Sequence, residues 1–135
     1  MKKLCNKSVL LIDDDAGMLR ALDKVLTGEG AVVTCAEWAC DAIEILTERK
    51  AKIDLVITDL QMPFMTGVLT GMSMVYAIHE ILPTVPVIVL TAFGSPEVKA
   101  ECLCLGAATI LEKPLNTPQL LTAIEGVFAS RRAGP

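Results

Sequence analysis

Aromatic side chains are scarce in this chain of 135 residues: three Phe, one Trp and one Tyr amount to 4%. Aliphatic residues must therefore fill the core. Charge is also thin, at 21% of residues, and a net charge of −4 gives no basic face of the kind that holds nucleic-acid phosphates. No direct nucleic-acid binding is expected. No apolar stretch approaches the ~18 residues of a membrane-spanning helix, so no membrane partner is expected either. Met1-Lys2-Lys3 opens like a secretory signal, but Asn6, Lys7 and the acidic residues at 13–15 interrupt any hydrophobic segment behind it. A cytoplasmic location is the expectation. The cysteines (Cys5, Cys35, Cys40, Cys102, Cys104) form no C-x-x-C pair and His79 is the single histidine, which argues against a disulfide framework and a zinc site. Reduced, buried or half-buried thiols are expected. Linkers, low-complexity tracts and repeats are absent too.

What the chain does have is aliphatic: 53% of residues are hydrophobic, enough for a globular core in one domain over residues 1–135. The core is expected at about 8–129, with Met1 to Lys7 and Arg131 to Pro135 frayed. Three apolar runs end in charge: Val9-Leu10-Leu11-Ile12 in Asp13-Asp14-Asp15, Asp54-Leu55-Val56-Ile57-Thr58 in Asp59, and Thr109-Ile110-Leu111-Glu112 in Lys113-Pro114. A fourth, Val87-Ile88-Val89-Leu90, ends in Thr91. Short continuous runs suit strands covered on both faces of a parallel sheet. Ala31 to Cys35 adds another strand.

Helical periods lie between the strands. Leu19, Leu22, Val25 and Leu26 share one stripe, with Asp15 as cap and Gly28 and Gly30 as terminators. Ala39, Ala42, Ile43 and Leu46 form a second stripe that ends near Lys50; Met72 to Leu82 forms a third, stopped by Pro83. Pro96 opens a fourth that runs to Gly106, and a fifth runs from Pro118 to about Ala129 after a cap at Asn116 or Thr117. Strict alternation predicts a doubly wound α/β fold with a five-stranded parallel sheet, helices on both faces and right-handed crossovers.

If the strands are parallel, their C-terminal ends meet at one edge, where open α/β folds place their ligands. That edge gathers Asp13, Asp14 and Asp59. Two carboxylates ~4 Å apart repel by about 4 kcal/mol at an effective dielectric of ~20, so such a cluster calls for a cation. Hard oxygen donors favour Mg²⁺, which recruits phosphate oxygens, and a carboxylate so placed can attack phosphorus. Asp15 is left to helix capping.

The chain resembles the receiver domain of bacterial two-component response regulators, chemotaxis-regulator-like, over roughly residues 8 to 129. Four motifs carry the resemblance: Ile12-Asp13-Asp14, Thr58-Asp59-Leu60-Gln61-Met62-Pro63, Val89-Leu90-Thr91-Ala92 and Glu112-Lys113-Pro114. Singly they are weak; jointly they are specific. The resemblance implies a flavodoxin-like fold with strand order 2-1-3-4-5. It implies that Asp59 is the phosphoacceptor, and that Asp13, Asp14, Asp59 and the backbone carbonyl of Gln61 hold Mg²⁺. Thr91 then corresponds to the switch hydroxyl, Ala92 leaves the phosphoryl site open, and Lys113 pairs with the phosphoryl group. Pro114 would follow a cis bond. A sensor histidine kinase or phosphotransfer protein is the implied donor, and a downstream target protein or output domain the implied recipient of the signal. The surface of the fourth helix, fifth strand and fifth helix would switch. The domain is expected to signal without being an enzyme, beyond self-catalysed phosphotransfer and autodephosphorylation.

Departures from the family pattern are local. Ile110 stands where Tyr or Phe usually precedes the lysine by three residues, and is read as an aliphatic core residue. Val68-Leu69-Thr70-Gly71 repeats the Thr-Gly of Thr66-Gly67, which lengthens the 66–71 loop by about four residues; it is read as an inert insertion of the kind a surface loop tolerates, the alternative being a flap over the acceptor that contacts a particular partner. Phe93 and Gln61 line the approach to the phosphoryl group, and a bulky Phe93 is expected to hinder the hydrolytic water. His79 is read as exposed or capping, and Trp38 and Tyr76 as packing residues. A haloacid-dehalogenase-like phosphatase is the enzyme alternative, since Asp13-Asp14-Asp15 contains D-x-D, but it leaves Asp59 and Lys113 unexplained. A phosphate-independent pseudo-receiver is the other alternative, although such modules generally lose site residues that this chain keeps.

Overall fold

The computed structural model describes residues 3–49, 52–60 and 71–132. Its elements run β1 (Ser8–Ile12), α1 (Ala16–Gly28), β2 (Val32–Ala36), α2 (Ala39–Glu48), β3 (Leu55–Asp59), α3 (Gly71–Ile81), β4 (Val87–Thr91), α4 (Pro96–Cys104), β5 (Thr109–Glu112) and α5 (Thr117–Arg132). The five strands pair in parallel in the order β2-β1-β3-β4-β5. The expected doubly wound order is therefore present.

Side chains alternate across each strand, so both faces of β1 are apolar and each feeds a different layer. Val9 and Leu11 pack with Leu19, Leu22 and Leu26 of α1 and with Leu120, Ile124 and Val127 of α5. Leu10 and Ile12 pack on the other face with Ala42 and Leu46 of α2, Met74, Val75 and Ile78 of α3 and Cys102 of α4. β3 and β4 lie at the centre and are buried along their whole length, which fixes what their last residues can reach.

Caps set the helix starts. The Asp15 side chain accepts from the backbone N–H of Gly17 and Met18 at α1, as expected. Ser95 caps α4 through Val98 N–H with Pro96 in the first turn, and Asn116 accepts from Gln119 N–H at 2.7 Å to open α5.

Several expectations need correction. The N-terminal segment is not frayed from residue 3 onward: Leu4 is 1% exposed within the α1–α5 layer. Leu4 N–H donates to Glu29 O at 2.9 Å and Asn6 N–H to Gly30 O at 3.0 Å, which ties the segment to the α1–β2 turn. β2 begins one residue later than expected, because Ala31 N–H is spent on Leu26 O and Val32 N–H is the first to reach Lys7 O. α5 runs on to Arg132. Only Cys102 is a buried thiol; Cys5, Cys35, Cys40 and Cys104 are exposed, since they sit on helix faces, an edge strand and a terminal turn. Trp38 and Tyr76 are exposed at 48% and 52%, so neither is a core-packing residue. Among the described residues no helix is long and apolar enough to cross a membrane.

Candidate functional site

Each site residue is delivered by a strand end. Asp13 directly follows β1, where its N–H donates to Ala36 O of β2 at 3.1 Å. One of its carboxylate oxygens, Oδ1, accepts from Asp15 N–H at 3.0 Å, which turns the chain into α1. The other, Oδ2, is left facing the sheet edge. Asp59 is the last residue of β3, next to β1 and β4, and its chain neighbour Leu60 donates to Leu90 O at 2.8 Å. Asp13 and Asp59 are both buried, whereas Asp14 is half-buried at the mouth. One carboxylate oxygen from each of the three lies within 4.8 Å of the other two.

Lys113 enters this cluster from the far side, directly after β5, through a cis Lys113–Pro114 bond. Its Nζ stands 3.1 Å from Asp13 Oδ2 and 3.3 Å from Asp59 Oδ2. The ammonium thus bridges the two most buried carboxylates. Burial is the largest single influence on Lys113 and lowers its pKa, but the charges of Asp13 and Asp59 and the hydrogen bonds to them together outweigh it and the net direction is up. Asp14 is also pushed up, first by desolvation and then by the neighbouring Asp13 charge. Three carboxylates against one ammonium leave the pocket short of positive charge. Hard oxygen donors in that balance fit a small divalent cation such as Mg²⁺.

Thr91 ends β4 and is buried. Its Oγ1 accepts from Phe93 N–H at 3.1 Å and lies 3.4 Å from Phe93 O, so the hydroxyl is held by its own loop. Lys113 N–H donates to Thr91 O at 2.8 Å, which sets β4 and β5 ends side by side. Ala92 and Phe93 follow on the surface, with Phe93 74% exposed. Ile110 is half-buried and packs on the α2–α3–α4 layer, as an aliphatic filler should. Gln61 and residues 66–70 of the extended loop lie outside the described residues. His79 falls in the last turn of α3, away from the acidic edge.

The structure therefore brings together Asp13, Asp14, Asp59 and Lys113, with Thr91 beside them. The sequence gives no hint that Lys113 spans both carboxylates, because that depends on β5 reaching across β4 and β3. Reading by residue also passes over Glu112, which pairs in register with Thr91. Its position one residue before the lysine was the available signal. A separate cavity of about 530 Å³, lined by His79, Pro86, Gly106, Ala123 and Gly126 among others, lies at the opposite ends of the strands and gathers no comparable charge.

Comparison with known proteins identifies the family. The family model of the response regulator receiver domain matches residues 9–125. The transcriptional regulatory protein GlrR of Escherichia coli is 38% identical over 117 residues, covering 87% of this chain and 25% of that protein. The DNA-binding transcriptional regulator NtrC of Proteus hauseri is 30% identical over 125 residues, covering 93% of this chain and 25% of that protein. This chain thus spans about a quarter of the length of those curated relatives. Among solved structures, a response regulator receiver domain protein from Clostridium thermocellum superposes with a TM-score of 0.84 at 31% identity, covering 94% of this chain and 98% of that one. The CheX–CheY–BeF3–Mg²⁺ complex from Borrelia burgdorferi gives a TM-score of 0.84 at 28% identity, covering 92% and 90%. With strand order, edge chemistry and relatives in agreement, the chain belongs to the response regulator receiver domains of two-component systems.

Proposed function

We propose that Asp59 accepts a phosphoryl group from a phosphohistidine on a sensor histidine kinase or phosphotransfer protein. The observation that supports this most is the position of Asp59: last in the central strand, beside Asp13 and Asp14, and in contact with the Lys113 ammonium. A carboxylate oxygen of Asp59 attacks phosphorus as the N–P bond of the donor breaks, and the imidazole leaves with that electron pair. Asp13, Asp14 and Asp59, with the backbone carbonyl of Gln61, would hold Mg²⁺, which supplies charge neutralisation on the transferring phosphoryl oxygens. Lys113 moves its partnership from Asp59 to those oxygens as a charge-assisted hydrogen bond. Small Ala92 leaves the approach open.

The new charge, near −2, attracts the Thr91 hydroxyl away from Phe93 and toward the phosphoryl group. The β4–α4 loop follows, and the α4–β5–α5 surface changes its affinity for a downstream target protein or output domain. Ile110 at the usual aromatic position packs on the core, so the aromatic rotamer that usually accompanies the switch is absent from this chain. Phe93, exposed two residues past Thr91, hinders the hydrolytic water in this reading, so Phe93→Ala should shorten the phosphorylated lifetime. An unchanged dephosphorylation rate would remove Phe93 from this role.

Incubation with acetyl phosphate and Mg²⁺ tests the proposal. The intact mass should rise by one phosphoryl group in the wild type and stay constant in Asp59→Asn. A wild type that gains nothing would overturn the reading and favour a phosphate-independent binding module.

A further inference from the structure

Lys99 and Glu112 form an ion pair that lies across the loop carrying the switch hydroxyl. Lys99 Nζ stands 3.0 Å from Glu112 Oε1, with both side chains about half exposed. Lys99 belongs to the first turn of α4, where its N–H donates to Ser95 O at 3.0 Å and Ser95 caps the helix. Glu112 closes β5 and is the in-register partner of Thr91. The pair thus joins the two ends of the segment Thr91–Ser95 from above.

Gly94 lies directly beneath. A Cβ placed there would meet Glu112 Oε1 at 2.6 Å, Glu112 Cγ at 2.8 Å and Lys99 Cε at 2.9 Å, all closer than ordinary contact. The ion pair therefore packs down onto the glycine backbone. In this arrangement the Thr91 hydroxyl is engaged by Phe93 N–H. Turning the hydroxyl toward a phosphoryl group breaks that contact and releases residues 92–94 beneath the pair.

We propose that Lys99, Glu112 and Gly94 form a latch that positions the β4–α4 loop in the state where Thr91 is held by Phe93, and so sets the threshold for switching. They act through Thr91 and are positioning residues. The inference rests on the function proposed above. An exposed ion pair is a small effect, but it is applied where two loop states are in balance, and a ligand that selects the minor state has its apparent affinity scaled by that state's population.

The test is the apparent dissociation constant of beryllofluoride, a phosphoryl mimic, titrated into the protein in saturating Mg²⁺. Lys99→Glu and Glu112→Lys should each tighten binding by roughly two- to fivefold, the range of an exposed ion pair. The double variant Lys99→Glu/Glu112→Lys should return to the wild-type value, which loss of a merely structural contact would not do. Gly94→Ala should tighten binding in the same direction without removing a charge, because its methyl group pries the pair apart. In about 1 M salt, where the Debye length is ~3 Å, wild type and single variants should converge. Single variants that bind like the wild type, or a charge-swapped double variant that stays shifted, would overturn the latch. A wild type that does not bind beryllofluoride would overturn the underlying function instead, and the latch with it.

Discussion

Lys113 is the residue that holds the acidic site together. Its ammonium is shared by Asp13 and Asp59, whose side chains are only 2% and 5% exposed. Removing one partner of a buried ionic contact typically costs about 3–5 kcal/mol, because the remaining charge is stranded. Lys113 itself is 24% exposed, so the lower end applies. Lys113→Met should therefore lose about 3 kcal/mol in urea unfolding without metal, and Mg²⁺ should restore part of that loss. Since the Lys113 pKa is raised in the fold, its contribution is fully present below its unfolded value and fades as pH rises through the folded one. That places the loss at alkaline pH, above the ordinary lysine value of 10.5.

Asp14 has the opposite consequence. A carboxyl whose pKa is raised on folding favours the protonated fold, so its contribution is lost as pH rises through the folded value and the ionised group is a liability at neutral pH. Asp14→Asn should thus melt higher than the wild type at pH 7 in the absence of metal. The wild type should gain about 2.7 kcal/mol from Mg²⁺ at a hundred times its dissociation constant, and the variant much less. A variant that melts lower without metal, or gains equally from it, would contradict this. The acidic residues were legible in the sequence because each follows an apolar run. What the sequence hid was their division of labour: Asp13 Oδ1 serves the turn at Asp15 N–H while Oδ2 serves Lys113.

At the scale of elements, legibility followed burial. β3 and β4, buried throughout, read as uninterrupted aliphatic runs, and α1 read from the spacing of Leu19, Leu22 and Leu26 and the Asp15 cap. The edges were harder. β2 alternates poorly, with Val32 exposed and only Ala36 buried, so its start could not be fixed from pattern alone. The N-terminal segment looked dispensable because Lys3, Asn6 and Lys7 surround a lone Leu4, yet that leucine closes the layer between α1 and α5. Leu4→Ala should cost about 2–4 kcal/mol in equilibrium unfolding, as for a buried leucine elsewhere in a core. A loss within about 0.5 kcal/mol would mean the segment behaves as a surface tail.

On the scale of the whole molecule, the parallel sheet is a device for assembling charge. Four of the five strand ends bring chemistry to one edge: two carboxylates after β1, one at the end of β3, a hydroxyl at the end of β4 and an ammonium after β5. The strand order places β3, with Asp59, between β1 and β4, so Asp59 lies between Asp13 and Asp14 on one side and the Thr91 hydroxyl on the other. The switch proposed above would propagate outward along β4–α4 and β5, on the side of the sheet where the Lys99–Glu112 pair sits. Because Asp13, Asp14 and Asp59 crowd together, the account stands or falls on which of them takes the phosphoryl group. Peptide mapping of the protein after exposure to acetyl phosphate, with Mg²⁺ and with a chelator, answers that directly. A single phosphoryl group on the peptide containing Asp59, present only with Mg²⁺, is the predicted result. Modification at Asp13 or Asp14, or at Asp59 equally well without metal, would contradict it.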